Sequence, residues 1–522
     1  MKNITLLKAK VGILAVSCLS ITALFACVDK DARSDLSPNL PTDQAQNGDF
    51  GDQGGGSDQG LNFPVFDDGV LAFPGAEGYG KNATGARTGE GREIYHVTNL
   101  NDAGPGSFRD AVSKPWRIIV FDVSGVIKLS KDPVVLKSNQ TILGHTAPGD
   151  GIVLYNGRVS ASGAQNLIVR YLRIRMGAAY PSDQVDACGV ANGADMIFDH
   201  CSMTWGRDEC FSINPDGKGT APKNITIQNS IIGQGLQNHS CGGLMQTDIS
   251  NGCTIFRNLY IDNKTRNPKV KGLNQFVNNV VYNWGSGAAY NMGGDSSGKS
   301  ETTIENNYFI VGPCNNWQNV EIAPKVYEAQ QVPMNPARPF TGGNSDFRSY
   351  CKGNYYDYDK DGALNGIEIT EVNWSQYCSD SPTLLEARSD LHPIIRSQKS
   401  AQEAYEWVVE KVGAYLPVRD EVDKYLIDEL TSLGGKGTII QDERKTEQFP
   451  LGGPGTINAA QKPLDSDNDG MPDAFEDAWG LDKYDPTDAV KEAKNGYLNI
   501  ENYALSLEYP DEYEYELNKN KQ

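Results

Sequence analysis

Short apolar strands recur along the middle of the chain at nearly constant intervals. Each begins with an apolar residue, continues with a polar residue and often an asparagine, and ends with two apolar-rich positions. The leading apolar residues are Val169, Phe198, Ile227, Phe256, Val277 and Ile304, separated by 29, 29, 29, 21 and 27 residues. Intervals of this size are typical of a solenoid. Because the strands are too short and too β-branched for helical or leucine-rich repeats, the spacing predicts a mainly β protein, a right-handed parallel β-helix.

An asparagine follows four of these strands, at Asn229, Asn258, Asn279 and Asn306. Amide side chains at equivalent positions of stacked strands can form a ladder that satisfies the backbone at a tight turn. We therefore predict that these asparagines are structural and form an internal ladder.

Helices are predicted only late in the chain. Ser400 to Glu403 has the pattern of a capping box that opens a helix to Val412, and Gly413 is placed to end it. A second helix is predicted from Asp420 to Leu433, before two glycines. We expect both helices to flank the solenoid.

The amino terminus has the pattern of a targeting segment. Three lysines precede an apolar stretch, and Leu24-Phe25-Ala26-Cys27 resembles a bacterial lipoprotein cleavage box. We predict a signal peptide over 1–26, lipidation of Cys27, and a flexible tether over 27–65 that leads to an outer membrane, with the protein periplasmic or at the cell surface. The β-helix and its helices would then occupy 66–455, and a small tail 456–522.

The charge of the chain excludes nucleic acid as a partner. The net charge is -20, and loss of residues 1–26, which carry three lysines and no acidic residue, gives -20 - 3 = -23. Within this acidic chain five basic residues cluster with only Asp262 among them: Arg257, Lys264, Arg266, Lys269 and Lys271. Such a cationic segment indicates an anion site. Upstream, Asp186, Asp208 and Glu209 are oxygen ligands of the kind that Ca²⁺ prefers, so an acidic polysaccharide fits both features.

Eight cysteines follow Cys18 and Cys27, and none of them shows the spacing of a zinc or dithiol motif. They are core thiols or disulfides, and the sequence leaves their pairing open.

These features resemble the pectate lyase family, polysaccharide lyase family one, over roughly residues 70–450. The resemblance also includes three shorter motifs: Ala72-Phe73-Pro74-Gly75-Ala76-Glu77-Gly78-Tyr79-Gly80, Ser107-Phe108-Arg109-Asp110-Ala111 and Gly413-Ala414-Tyr415-Leu416-Pro417. It implies a Ca²⁺-dependent enzyme that cleaves homogalacturonan (pectate), an acidic plant polysaccharide, by β-elimination. We expect the enzyme to be a monomer.

The resemblance assigns roles residue by residue. Arg266, with Pro268 two places on, corresponds to the catalytic arginine, and Lys271 before Gly272 to a second cation. Asp186, thirteen residues before the Asp199-His200 pair, corresponds to a calcium ligand, as does Asp208 with Glu209 beside it.

The sequence also departs from the family. Two further acidic positions are Ser212 and Gln184, and the position of a substrate-binding lysine falls near Cys241, with His239 as a substitute. Arginine has an unperturbed pKa of about 12.5 or above. We expect Lys269, Lys271 and bound Ca²⁺ to disfavour the charged form of Arg266.

Two other functions remain open from sequence. A polygalacturonase-type hydrolase would need a tight set of aspartates acting as acid and base, and no such set falls near Arg266. The second alternative is a non-catalytic, calcium-dependent pectin-binding lipoprotein. The departures from the family at Ser212 and Cys241 keep this alternative open.

Two acidic loops also match the spacing of calcium loops. In the first, carboxylates stand at positions 1, 3, 5, 9 and 12 of an EF-hand-like loop: Asp465, Asp467, Asp469, Asp473 and Glu476. Gly470 occupies the sixth position, but Pro472 occupies the eighth, so we predict a single calcium-bound loop of structural function. The second loop, from Asp357 to Glu368, has similar spacing, and there an ordinary acidic turn is at least as good an interpretation.

Overall fold

Three β-sheets run along the structure, parallel except for the last pair of strands in sheet 2, and the successive coils of the backbone contribute strands to the sheets in turn. The computed structural model describes residues 69–285, 288–293, 299–314, 317–324, 326–331, 337–378 and 380–519. The predicted signal peptide, Cys27 and the predicted tether lie outside these described residues.

The strands of the three sheets follow one another as sheet 1, sheet 2 and sheet 3. Sheet 1 has eleven strands: Glu93–Val97, Arg117–Phe121, Gln140–Leu143, Gln165–Arg170, Ala194–Asp199, Lys223–Gln228, Gly252–Phe256, Leu273–Val277, Ser300–Glu305, Phe347–Lys352 and Thr383–Leu384. Sheet 2 has ten: Gly125–Lys128, Ile152–Tyr155, Arg173–Arg175, Ser202–Thr204, Ile231–Gly233, Leu259–Ile261, Val280–Tyr282, Tyr308–Ile310, Asn354–Asp357 and Ile367–Ile369. Sheet 3 has eight: Val134–Val135, Val159–Ser160, Cys188–Val190, Phe211–Ile213, Leu244–Gln246, Lys269–Lys271, Ala288–Asn291 and Arg338–Thr341. A separate antiparallel pair is formed by Trp317–Ala323 and Val326–Gln331.

The register of sheet 1 confirms the prediction of a parallel β-helix. Phe198 lies beside Val169 on one side and Ile227 on the other. In the following coils Gln228 pairs with Phe256, Phe256 with Val277, and Val277 with Glu305. Alternate side chains of each strand point inward, where they form one continuous apolar core through the three sheets.

The asparagine ladder exists, but two of the four predicted members are wrong. Asn258 donates its Nδ2 to Oδ1 of Asn279 at 3.1 Å, and Asn279 donates to Asn307 at 3.2 Å. Asn307 donates in turn to Asn354 at 2.8 Å. The predicted Asn229 lies one residue outside the ladder, and its position is taken by Ser230, whose N–H donates to Asn258.

The errors at Asn229 and Asn306 have one physical reason, the length of the preceding strand. Asn306 precedes the ladder position Asn307, because the strands that end at Gln228 and Glu305 are one residue longer than the apolar pattern indicated. The ladder therefore runs along the turn between sheet 1 and sheet 2 with Asn258, Asn279, Asn307 and Asn354 as its amides.

The α-helices of the described residues are mostly late, as predicted: α1 (Phe108–Ala111), α2 (Trp374–Tyr377), α3 (Ala401–Lys411), α4 (Glu421–Thr431), α5 (Asp473–Trp479), α6 (Asn499–Glu508) and α7 (Pro510–Lys519). Helix α3 has the predicted capping box between Ser400 and Glu403, and Gly413 follows it with a φ of 77°. Short 3-10 turns lie at Gly144–Thr146 and Asp488–Val490. Helices α3 and α4 pack on the outer face of sheet 2.

Helices α5 and α6 cover the outer face of the first strands of sheet 1. Their apolar residues, including Phe475, Trp479 and Ile500, form a cluster with Ile118 and Ile168 of those strands. A capping layer over the first coils of the solenoid was not predicted.

The eight cysteines from Cys188 to Cys378 are all free thiols, and all but Cys351 are buried, so they are core residues and not disulfides. Among the described helices, none has both the length and the apolar character needed to cross a bilayer.

We predict that the ladder contributes measurably to stability. Changing Asn279 to Ala would leave the buried backbone N–H of Asn258 without its acceptor, and each buried group left without a partner costs about 1–3 kcal/mol. Thermal unfolding should show a clear loss for Asn279→Ala. The half-buried Asn192, whose amide donates to Asp216 outside the ladder, provides the control variant Asn192→Ala, which should change stability by less than about 0.5 kcal/mol. Equal losses for the two variants would contradict the role of the ladder.

Candidate active site

Four successive coils bring polar side chains together where the strands of sheet 3 begin. Ala187 donates its N–H to the carbonyl of Glu209 at 2.9 Å, which sets Asp186 beside Glu209. Glu209 pairs in parallel with Cys241, and Cys241 pairs with Thr265. Stacking therefore places these residues in one row that crosses successive coils just before the strands of sheet 3 begin: Asp186, Glu209, Cys241 and the Thr265-Arg266 turn.

Arg266 points into this row. Its Nη1 donates to Oε1 of Glu209 and lies 3.6 Å from Oδ1 of Asp208. Arg266 has a left-handed φ of 57°, which is uncommon for a residue other than glycine. Its backbone is held in place because Gly243 donates to the carbonyl of Arg266 at 2.7 Å. The side chain keeps 33% of its surface exposed, so a ligand can reach it.

The carboxylates of the row are crowded. The N–H of Glu209 donates to Oδ1 of Asp186 at 3.4 Å. Burial, a hydrogen bond with Asp186 and the charges of Asp186 and Asp208 raise the pKa of Glu209 to about 9, although Arg266 acts in the opposite direction. Burial also raises the pKa of Asp186. A cation at this point would relieve the repulsion between them.

The pKa of Arg266 depends mainly on its acidic neighbours. Burial alone would lower it, but Cys241, Glu209 and Asp208 outweigh burial, and the pKa is raised above its ordinary value. The prediction that Lys269, Lys271 and bound Ca²⁺ together disfavour the charged form of Arg266 concerns the calcium-bound enzyme and stays a prediction. In the structure the nearest charges are the acidic groups, because stacking sets them directly beside the guanidinium.

The predicted His239 also belongs to this site. Its Nδ1 lies 3.5 Å from Oδ1 of Asp208 and 3.0 Å from the carbonyl oxygen of Asp183. Cys241 is buried, and burial raises the pKa of its thiol. Ligand atoms of Asp208, Glu209 and Cys241 lie within 4.8 Å of one another.

The predicted lysines stand on the outer face of the same sheet. Val270 points into the core, so Lys269 and Lys271 on either side of it point outward, and both are half-buried. Lys271 lines a cavity of about 550 Å³ together with Gln246 and Asp248. The structure thus brings Arg266, Asp186, Asp208, Glu209 and His239 together, and sets Lys271 further along the sheet.

Two more basic residues lie near the row: Lys264, which the sequence placed in the cationic cluster without a specific role, and Arg158, which sequence reasoning missed. Lys264 donates Nζ to the carbonyl of Asn238, and burial, with a contribution from Arg266, lowers its pKa to about 8. Arg158 acts on Asp186 electrostatically and lowers the pKa of that carboxyl against the effect of burial. Arg158 precedes Asp186 by one coil, so the repeat interval was the signal that could have found it.

The donor set is suited to Ca²⁺. Asp186, Asp208 and Glu209 offer hard carboxylate oxygens, and Ca²⁺ takes six to eight such ligands. The buried and crowded carboxylate of Glu209 matches a cation-binding function. Cys241 lies at the side of this set, and its thiol does not suit Ca²⁺, so the three carboxylates are the candidate ligands.

The two predicted calcium loops lie away from this site. Of the first loop, Asp465, Asp467 and Asp469 form one acidic group with ligand atoms within 4.8 Å, and Asp469 and Glu476 form another with Asp488. Asp473 instead accepts hydrogen bonds from Ser466. The second loop is a turn between two antiparallel strands, where Asp361 accepts hydrogen bonds from Ala363 and Asn365.

Comparison with known proteins identifies the family. A family model described as pectate lyase matches residues 72–326. A probable pectate lyase C of Aspergillus fumigatus is 48% identical over 438 residues, which cover 84% of this chain and 94% of the relative. Its counterpart from Aspergillus terreus is 49% identical with the same coverage. Among solved structures, the thermostable pectate lyase PL 47 aligns with a TM-score of 0.45 and 14% identity, covering 66% of this chain and 98% of that one.

The chain is thus a polysaccharide lyase built on a parallel β-helix. It belongs to the pectate lyase family, with Asp186, Asp208, Glu209 and Arg266 inside the matched region.

The pairing of Arg266 with Glu209 predicts competition between the arginine and Ca²⁺ for the same carboxylates. Arg266→Ala should therefore bind Ca²⁺ more tightly than the wild type, because Glu209 and Asp208 lose a competing cation. Isothermal titration calorimetry measures this affinity. Arg348→Ala removes an exposed arginine that pairs with Glu301 on sheet 1 and should leave the affinity unchanged. Weaker binding in Arg266→Ala alone would contradict the competition.

Proposed function

We propose that the protein cleaves de-esterified homogalacturonan by calcium-assisted β-elimination, with Arg266 as the base, and releases 4,5-unsaturated oligogalacturonides. The observation that carries the proposal is the contact of Arg266 with Glu209 and Asp208 on an exposed edge of sheet 3. An arginine and a set of cation-binding carboxylates side by side are the two groups that elimination from a uronate requires. The names of the relatives, probable pectate lyase C, support the same substrate.

Asp186, Asp208 and Glu209 would hold the Ca²⁺. When bound, the ion neutralises the uronate carboxylate and makes the neighbouring C–H more acidic. Without a cation these carboxylates would repel the substrate and weaken its binding, because both carry negative charge.

Arg266 then has to accept a proton from the substrate. Glu209 and Asp208 favour its protonated form in the structure described here. Neutralisation of these carboxylates removes the interaction that keeps Arg266 charged, so the fraction of neutral arginine rises where the substrate is bound. Alkaline pH raises the same fraction.

The remaining basic groups position the polymer. Lys269 and Lys271 point outward on sheet 3 next to the site, where each can bind a uronate carboxylate as a point charge. His239, beside Asp208, would take the place of the lysine that Cys241 replaces.

The proposal predicts that Arg266→Ala loses elimination activity. Removal of a general base lowers rates by about 10²–10⁴-fold, and the loss should appear in the ultraviolet absorbance of the unsaturated product formed from polygalacturonate. Arg348→Ala is the matched control and should retain the wild-type rate. Substantial activity in Arg266→Ala would exclude Arg266 as the base. Cleavage without an absorbing product would indicate a hydrolase, and binding without cleavage a non-catalytic protein.

A second prediction concerns the metal. Chelation should abolish product formation by the wild type, and added Ca²⁺ should restore it. Asp208→Asn should require a higher Ca²⁺ concentration for half-maximal activity, because one ligand has lost its charge. Full activity of chelated enzyme would remove Ca²⁺ from the proposed mechanism.

We also propose that the enzyme is an exported monomer, anchored in the outer membrane through lipid on Cys27. The lipoprotein-like box in the sequence supports this anchor. The wild type should label with radioactive palmitate and sediment with membranes, and Cys27→Ser should do neither. Equal labelling of the two proteins would contradict the anchor.

A further inference from the structure

A second acidic cluster lies at the other side of the solenoid, next to the capping helices. It is formed by the loop before α5, by Glu476 in α5, and by Asp488 in a later 3-10 turn. Two groups of three carboxylates, Asp465 with Asp467 and Asp469, and Asp469 with Glu476 and Asp488, each have ligand atoms within 4.8 Å. Asp469 belongs to both groups, so the two are continuous.

Several carboxylate oxygens of this cluster are buried and lack partners among the described residues. Glu476 is 0% exposed, and neither of its carboxylate oxygens has a hydrogen-bond partner among the described residues. The same is true of both oxygens of Asp467 and of one oxygen each of Asp469 and Asp488. Buried polar groups are almost always paired, and an unpaired buried charge is strongly destabilising. The cluster therefore needs a positive charge.

The lysines near the cluster contact its rim or carboxylates outside it. Lys462 contacts Asp122 at 3.1 Å and Asp465 at 3.4 Å, at the rim of the cluster. Lys491 pairs with Asp485 at 2.9 Å. Neither of these pairs reaches the buried carboxylate of Glu476, and a small cation inside the cluster would.

The chemistry of the donors selects the cation. All of them are carboxylates, and hard oxygen ligands in this number are typical of Ca²⁺. The soft or nitrogen ligands that suit zinc and copper are not part of either group.

The ligand set differs from that of an EF-hand loop. Asp473, the ninth position of the motif, accepts hydrogen bonds from the N–H and hydroxyl of Ser466 at 2.7 and 2.8 Å, so it holds the loop in shape. Asp488, twelve residues beyond Glu476 and outside the motif, faces the cluster instead.

We propose that Asp465, Asp467, Asp469, Glu476 and Asp488 bind a structural Ca²⁺ ion that fastens the capping helices α5 and α6 to the first coils of sheet 1.

The position of the loop before α5 indicates which elements the ion would hold together. Gly470, with a φ of 93°, comes so close to the sheet that a Cβ there would meet Ile500 of α6 and Val120 of sheet 1 at 3.3 Å. The loop is thus wedged between helix and sheet. At the end of α6, Glu508 forms an ion pair of 2.6 Å with the buried Arg170. Release of the loop would expose the apolar face of sheet 1 and this pair.

The test measures Ca²⁺ stoichiometry and unfolding in the full chain. Glu476→Gln and Asp488→Asn should each bind one Ca²⁺ ion fewer than the wild type, or bind it at least about tenfold more weakly. The control is Asp477→Asn, which removes an exposed charge one residue away that pairs with Lys483 and should bind as the wild type does. Asp208→Asn, at the candidate active site, should keep the structural ion, so the two sites are counted separately.

Stability should respond in a way that an ordinary core residue would not. With chelator, Glu476→Gln should unfold at a temperature equal to or above that of the wild type, because one of several repelling buried charges is gone. With Ca²⁺ the order should reverse, since only the wild type and Asp477→Asn gain stability from the ion. Activity of Glu476→Gln on polygalacturonate should persist at saturating Ca²⁺.

Hydrogen exchange on the wild type alone provides a check that does not depend on a variant folding. Amides of α5 and α6 should exchange more slowly with Ca²⁺ than with chelator. The proposal is overturned if Glu476→Gln and Asp488→Asn bind as many ions, with the same affinity, as Asp477→Asn, or if Ca²⁺ does not change exchange in α5 and α6.

Discussion

Stacking of the coils in register is the constraint on which the rest of this structure depends. Neighbouring strands lie about 4.8 Å apart, so residues one coil apart in sequence become neighbours in space. In this way Asp186, Glu209 and Cys241 form one row although they are 209 - 186 = 23 and 241 - 209 = 32 residues apart. A row of acidic groups at this spacing is costly without a cation. In the described structure the positive charge of Arg266 stabilises these carboxylates. The candidate base and the candidate calcium ligands therefore influence each other electrostatically.

The same stacking leaves the outer face of sheet 1 to be covered. Ile118 and Ile168 point outward there, and α5 and α6 bury them. The capping layer brings its own acidic cluster, in which Glu476 is fully buried. Two acidic sites therefore follow from one architecture: a partly buried carboxylate row beside Arg266, proposed for catalysis, and a buried carboxylate cluster, proposed to bind a structural ion.

Sequence predicted the repeating features well, because they depend on local patterns. The β-helix, the capping box at Ser400 and two ladder amides, Asn258 and Asn279, are confirmed. The errors at Asn229 and Asn306 arose because apolar residues mark a strand without fixing the residue at which it ends. Lys264 was singled out only as a member of the cationic cluster, and Arg158 was missed although it precedes Asp186 by one coil. Asp488 could not be found, since its contact with Glu476 joins segments outside the loop motif. The raised pKa of Arg266 could not be predicted, because it depends on acidic groups that stacking brings beside the guanidinium.

A crystal structure of the Ca²⁺-bound enzyme with a short oligogalacturonate, formed below the alkaline pH at which neutral Arg266 becomes populated, so that turnover is slow, tests the central claim most directly. The account predicts anomalous calcium signal at Asp186, Asp208 and Glu209, with the guanidinium of Arg266 turned from Glu209 toward the carbon that bears the uronate carboxylate. Arg266 still bound to Glu209, with calcium and sugar located elsewhere on the solenoid, would contradict it.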